Sequence, residues 1–178
     1  MNMKKHLFFC GIKHSGKTTL GRMAAQKLGY RWVDLDELIL LRLEQGTTIR
    51  SFFQTKGKSQ FMQLEYESLA DYLKTAEQPT IISLGGGACD NEALVQLIKR
   101  EGSIIYLMVP QQVLLKRILA GGVPPFLDPN NVELSFSRLY KQRDERYGTI
   151  ADYLIHLPDY PDVQDTAEYL VKHLKNEV

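Results

Sequence analysis

Residues 11–18 read Gly-Ile-Lys-His-Ser-Gly-Lys-Thr: a glycine, four residues, then Gly-Lys-Thr. That spacing is the pattern of a phosphate-binding loop. Its chemistry would come from the backbone N–H groups of Ile12, Lys13, His14, Ser15, Gly16 and Lys17. These would converge on a β-phosphate at a helix N-terminus. Gly11 and Gly16 permit backbone angles and a close approach that a Cβ would hinder. Lys17 is expected to reach the β- and γ-phosphates of a nucleoside triphosphate. The Thr18 hydroxyl is expected to ligate Mg²⁺, and Thr19 completes the nucleotide-binding set.

Other groups could do chemistry beside this loop. Asp34-Leu-Asp36 follows a short strand-like stretch, and two carboxylates one strand over from a phosphate loop suit Mg²⁺ and a substrate hydroxyl. The structural alternative is that Asp36 caps a helix over residues 37–44 while Asp34 is solvated. Gly85, Gly86 and Gly87 close a β-branched run. Three glycines at a strand end mean either that a ligand approaches the backbone closely or that the turn is flexible. Arg138, Lys141, Arg143, Asp144, Glu145 and Arg146 crowd one helix. Most should form a solvated face, with one pointing into the crevice as the functional alternative.

The elements that must position these residues are legible as alternating patterns. Strand-like runs occupy residues 6–10, 30–33, 80–84, 103–109 and 153–156. A helix begins at Thr18, with Leu20, Met23, Ala24 and Leu28 apolar and Gly29 as its C-cap. Thr47 or Thr48 caps a short helix through Phe53, and Lys56-Gly57-Lys58 breaks it. A longer helix follows, carrying Phe61, Leu64, Ser68, Leu69, Tyr72 and Leu73 on one side. Residues 91–100 form another. Pro110 opens the next, with Val113, Leu114, Ile118 and Leu119 inward and Lys116 and Arg117 near its end. Two glycines and three prolines over residues 120–131 mark a loop of lid length. A charged helix from Val132 to about Tyr147 and a closing helix with Val163, Ala167, Leu170, Val171 and Leu174 complete the chain. Five strands alternating with helices predict an α/β fold with a parallel sheet and right-handed crossovers.

Composition bounds the function. The chain has 178 residues, 44% apolar and 24% charged, which is one globular domain with a real core. A net charge of +1 gives no electrostatic case for a nucleic-acid or anionic-membrane partner. Cys10 and Cys89 make no disulfide framework, and Cys10 reads as a small buried hydrophobe. No apolar run is long enough to span a bilayer. The N-terminus enters a strand without a signal-peptide core, so a cytoplasmic enzyme is expected.

The chain lacks the Asn-Lys-x-Asp of guanine-specific GTPases and the Leu-Ser-Gly-Gly-Gln of transporter ATPases, which leaves a small kinase. The ordered set of motifs begins with residues 11–18, Asp34-x-Asp36, Phe53-x₃-Gly57 and Phe61-x₃-Glu65. It continues with the triple glycine, Pro125 in the lid, Leu139-x₃-Arg143-x₃-Tyr147 and Ala151-Asp152. Over nearly the whole chain this set resembles the shikimate kinase family. The resemblance implies a single domain over residues 1–178 with a three-layer phosphate-loop NTPase fold. It implies a five-stranded parallel sheet in order 2-3-1-4-5, a substrate segment at about 36–65 and a lid at about 119–131. The implied reaction moves the γ-phosphoryl of ATP to the 3-hydroxyl of shikimate with Mg²⁺, a step toward chorismate and the aromatic amino acids. A monomer is expected.

In the family pattern Lys17, Asp34 and Asp36 form the catalytic set. Asp36 would bind the shikimate ring hydroxyls, and the triple glycine would let the substrate sit against the backbone. Arg143 would pair with the carboxylate, Asp34 would support Mg²⁺ through water, and Arg117 would pack on the adenine. Two departures stand out. The family's substrate segment carries an arginine where this chain has Met62 and an acid where it has Lys58. Its lid carries an arginine where this chain has Pro124. Lys58, Arg50 and Lys13 are the cations able to substitute. The alternatives are a same-fold kinase for another small polyol and a nucleotide-binding protein with little kinase activity.

Overall fold

A computed structural model describes residues 6–124 and 126–177. The sheet is built from β1 (His6–Cys10), β2 (Arg31–Asp34), β3 (Thr80–Ser83), β4 (Gly102–Met108) and β5 (Tyr153–His156). All pairings are parallel, and the order is β2-β3-β1-β4-β5. Every residue of β1 and β3 is buried, and so are six consecutive residues of β4. Burial without alternation means that both faces of the central strands are covered, which is why these runs are near-continuously apolar. The edge strands β2 and β5 are partly exposed.

The helices are α1 (Lys17–Leu28), α2 (Leu35–Leu40), α3 (Ile49–Thr75), α4 (Glu92–Glu101), α5 (Gln111–Gly121), α6 (Val132–Ile150) and α7 (Val163–Glu177). α1 packs on α7 and β3, α3 on α2 and α4, and α5 on α6. Among the described residues no helix is long and apolar enough to cross a membrane. The parallel register sets Phe9 opposite Ser83 and Ser83 opposite Asp34. The segments that leave β1, β2 and β3 therefore emerge side by side at the carboxyl edge of the sheet. Those segments are the phosphate loop, the Asp34–Asp36 pair and the triple glycine.

The expected sheet order and element sequence agree with the structure; several boundaries do not. α2 starts at Leu35 and ends at Leu40 instead of spanning 37–44, and its cap is Asp34, whose Oδ1 accepts from the Asp36 N–H at 3.0 Å. Asp36 is thus released from a capping role. The expected break is at Gly57, whose φ 81° and ψ 175° are non-helical, so α3 is two helices joined at a kink. Thr48 and Ser51 form a reciprocal capping box at its start. Phe53 and Phe61 meet edge to face at 5.6 Å across the kink and hold its two halves together. Leu119 is exposed, because the buried stripe of α5 is Leu114 and Ile118, four residues apart. α6 runs on to Ile150, which is buried with Tyr147. The lid loop starts only after Gly121, since residues 119–121 belong to α5. Pro125 of the lid lies outside the described residues.

Candidate active site

The phosphate loop wraps around its own lysine. Gly11 takes φ 157°, and a Cβ there would meet the Leu107 carbonyl oxygen at 2.9 Å, so no larger residue fits the turn. His14 sits in the left-handed region at φ 68°. Its carbonyl accepts from Arg117 Nη1 at 3.0 Å, which holds the conformation from α5. The Lys17 ammonium donates to the carbonyls of Gly11 at 2.8 Å and Ile12 at 3.2 Å. Burial lowers its pKa to about 8, opposed in part by the acids Asp34 and Asp36. Ser83 Oγ donates to the Lys17 carbonyl and accepts from Trp32 Nε1, so β2 and β3 fix the first turn of α1.

The carboxylate pair is split by environment. Asp34 is engaged twice: Oδ1 caps α2, and Oδ2 accepts from the Thr18 hydroxyl at 2.9 Å. Asp36 makes no such bonds and lies against Gly85, where a Cβ would meet its Oδ1 at 2.9 Å. A side chain at the first of the three glycines would therefore press on the carboxylate and displace it from its present place. Burial, reinforced by the negative charge of Asp34, raises the Asp36 pKa, while Lys17 and Lys13 pull it down. A carboxylate of raised pKa beside a phosphate loop is suited to accept a proton from an attacking hydroxyl. Thr18 and Asp34 offer only oxygen, the donor type that Mg²⁺ takes. Among the described residues no cluster of three or more protein ligands exists, so a metal here would need phosphate and water oxygens as well.

The far wall is α6. Phe136, Leu139, Arg143 and Tyr147 line one cleft of about 670 Å³ together with Lys17, Asp36 and the three glycines. The spacing of three, four and four is a single helix face. Tyr147 is buried; its hydroxyl donates to the Gly86 carbonyl at 2.7 Å and receives a long bond of 3.5 Å from Arg143. Its ring lies 5.1 Å from that of Tyr106, whose hydroxyl donates to Asp144. Of the charged residues expected to be solvated, Arg146 instead bonds the Cys89 carbonyl and pairs with Glu92. The expected functional exception is Arg143. Tyr147 is legible in the sequence only as part of the motif, without a role; its spacing from Arg143 on the α6 stripe is the available signal.

Other expected site residues fall as follows. Ile12, Lys13, His14, Gly16, Thr18 and Thr19 line the cleft. Ser15 does not; its side chain is buried with an unpartnered hydroxyl. Arg117 is not part of the lining either, and its second nitrogen pairs with Asp159 at 3.0 Å. Met62 faces a separate shallow cavity with Lys58 and Asn91. Pro124 is buried, its carbonyl accepting from the Leu127 N–H. Among the described residues of the lid only Phe126 lines the cleft, with the Lys13 ammonium 5.9 Å from its ring centre. Phe126 carried no signal in the sequence, since an exposed loop aromatic looks the same whether or not it covers a site.

Comparison with known proteins bears on this geometry. A family model described as shikimate kinase matches residues 13–175. The shikimate kinase of Chlorobium limicola is 32% identical over 180 residues, covering 96% of this chain and 87% of that protein. That of Neisseria gonorrhoeae is 31% identical over 173 residues, covering 97% and 98%. The structure of Acinetobacter baumannii shikimate kinase in complex with shikimate superposes with a TM-score of 0.80 at 26% identity, covering 99% of this chain and 96% of that one. A family match of this extent, carried by a cleft that joins the phosphate loop to the paired aspartates and the triple glycine, means that the chain belongs to the shikimate kinase family.

Proposed function

We propose that this protein transfers the γ-phosphoryl group of ATP to the 3-hydroxyl of shikimate, releasing shikimate 3-phosphate and ADP. The observation that carries the reading is the single cleft in which Lys17, Asp36, Gly85 and Arg143 share one space. The phosphate loop supplies converging N–H groups and the Lys17 ammonium for the triphosphate. The acceptor lies between Gly85–Gly87 and α6, its ring hydroxyls on Asp36 and its carboxylate on Arg143. In the transfer, the 3-hydroxyl oxygen bonds to the γ-phosphorus, the bond to the β–γ bridging oxygen breaks, and the hydroxyl proton passes to Asp36. Thr18 and Asp34 would hold Mg²⁺, Asp34 through water. When bound, this ion neutralises charge on the phosphate oxygens. Arg117 steadies the loop through His14 and borders the adenine site.

The substrate segment is read as α2 and the adjoining part of α3, and the lid as the loop after α5, within a single domain. A cytoplasmic monomer fits two buried free thiols, as expected in a reducing compartment. The test is ATP consumption with shikimate and a panel of neutral polyols. Turnover is expected with shikimate and is expected to be lost in Lys17→Ala, with the fold intact by circular dichroism. Turnover on another polyol but not on shikimate refutes the acceptor assignment. Unchanged turnover in a folded Lys17→Ala protein refutes the nucleotide site.

A further inference from the structure

We propose that Asp90 is a specificity-determining counter-ion of the acceptor site, competing with the acceptor's carboxylate for Arg143. The proposal rests on the reading of Arg143 as the carboxylate-binding residue. Arg143 Nη2 lies 3.4 Å from Asp90 Oδ2, and Nη1 lies 3.5 Å from the Tyr147 hydroxyl. A Cβ on Gly87 would stand 3.8 Å from Nη2 and 4.0 Å from Nη1. The guanidinium thus spans from the triple glycine to Tyr147, with one arm already offered to an acid. A carboxylate entering the cleft meets a cation whose charge is partly compensated.

Asp90 is held where it is. It ends a short 3₁₀ turn over Ala88–Asp90, and its N–H donates to the Gly87 carbonyl at 3.0 Å. The neighbouring Cys89 carbonyl and Glu92 carboxylate are gripped by Arg146, on the same helix as Arg143. The turn and α6 are therefore tied together one residue before Asp90 and two residues after it, so the acid cannot simply drift away when a ligand arrives. The local charge sharpens the effect. Asp36 and Asp90 both push the buried Glu65 carboxyl up, so negative charge gathers behind this wall. Arg143 is the cation that lines this end of the cleft, and Met62 nearby on α3 is uncharged. Half-exposed ion pairs of this kind are weak enough for a ligand to displace.

The experiment is steady-state kinetics with shikimate and with its carboxamide, which keeps the hydroxyls but lacks the charge. Asp90→Asn is nearly isosteric and sits on an exposed side chain, and thermal unfolding checks its fold. It should lower the ratio of KM for shikimate to KM for the carboxamide by about two- to five-fold, with the change in KM and not in kcat. Arg143→Met should raise the same ratio. If Arg143→Met raises the ratio while Asp90→Asn leaves it unchanged or raises it, the proposal is overturned, and Asp90 only orients the guanidinium. If Arg143→Met does not move the ratio, the reading of Arg143 itself fails.

Discussion

Replacing Glu65 with glutamine should stabilise the protein, and only above a definite pH. Glu65 is the one acid that is buried among the described residues, at 3% exposure. Its Oε2 accepts from Asn91 Nδ2 at 3.0 Å, and Asn91 also donates to the Met62 carbonyl at 2.8 Å. Burial pushes the carboxyl from its ordinary 4.5 up to about 7; the Asn91 hydrogen bond opposes this, and the charges of Asp36 and Asp90 add to it. Below pH 4.5 the group is protonated both folded and unfolded and contributes nothing. As pH rises from 4.5 to about 7 the unfolded chain ionises first, so folding must keep or regain a proton and stability falls. Above that range both states are ionised and the full penalty stands. At about 1.4 kcal/mol per pH unit the interval from 4.5 to about 7 is worth about 3 kcal/mol. Glutamine keeps an acceptor for Asn91 and cannot ionise. Urea unfolding of both proteins should show a small gap at pH 5 and a gap of about 3 kcal/mol in favour of Glu65→Gln at pH 8, about 6–12 °C in Tm. An equal gap at the two pH values, or a mutant less stable at pH 8, refutes the reasoning.

Two other outcomes follow from groups in the cleft. Burial holds the Lys17 ammonium near pKa 8 without nucleotide, and phosphate oxygens would restore its charge. Nucleotide affinity should therefore fall as pH rises past about 8, and calorimetry at pH 8.5 in buffers of different ionisation enthalpy should register proton uptake; no uptake contradicts this. Tyr147→Phe deletes the 2.7 Å bond to the Gly86 carbonyl and should cost about 1–3 kcal/mol in urea unfolding. It should also raise KM for the acceptor through a loosened glycine turn, and a neutral effect on both measurements would dismiss Tyr147 as a positioning residue.

The phosphate loop was legible because its function requires glycines at fixed spacing between a strand and a helix, and both signals are local. The sheet order came from the family resemblance; strand alternation alone predicted only a parallel sheet. The boundaries around α2 were misread because Asp34 and Asp36 are both competent caps, and only the fold decides that Asp34 also faces Thr18. The break at Gly57 was legible because glycine takes the positive φ that ends a helix, whereas the Phe53–Phe61 contact that packs the two halves together is tertiary and not contained in propensity. Asp90 was invisible for a related reason. Its partner lies 53 positions away on α6, and nothing local to residues 88–92 reports it.

The cations of the cleft divide by what holds them. Lys17 is held by neutral carbonyls, and Lys13 stands over a neutral ring with no carboxylate paired to it among the described residues. Both lie at the phosphate loop. Arg143, on the α6 wall of the same cleft, is instead paired with a carboxylate, that of Asp90. The cleft therefore offers two cations where a triphosphate would lie and, on the α6 wall, one cation already partly compensated by Asp90. In a half-enclosed site, where screening by solvent is reduced, such a difference acts on every charged ligand. It favours the nucleotide, with several negative charges, over an acceptor with one. Nucleotide binding should consequently be the tighter of the two steps, and the acceptor must be recognised chiefly through its hydroxyls on Asp36 and its fit against Gly85–Gly87.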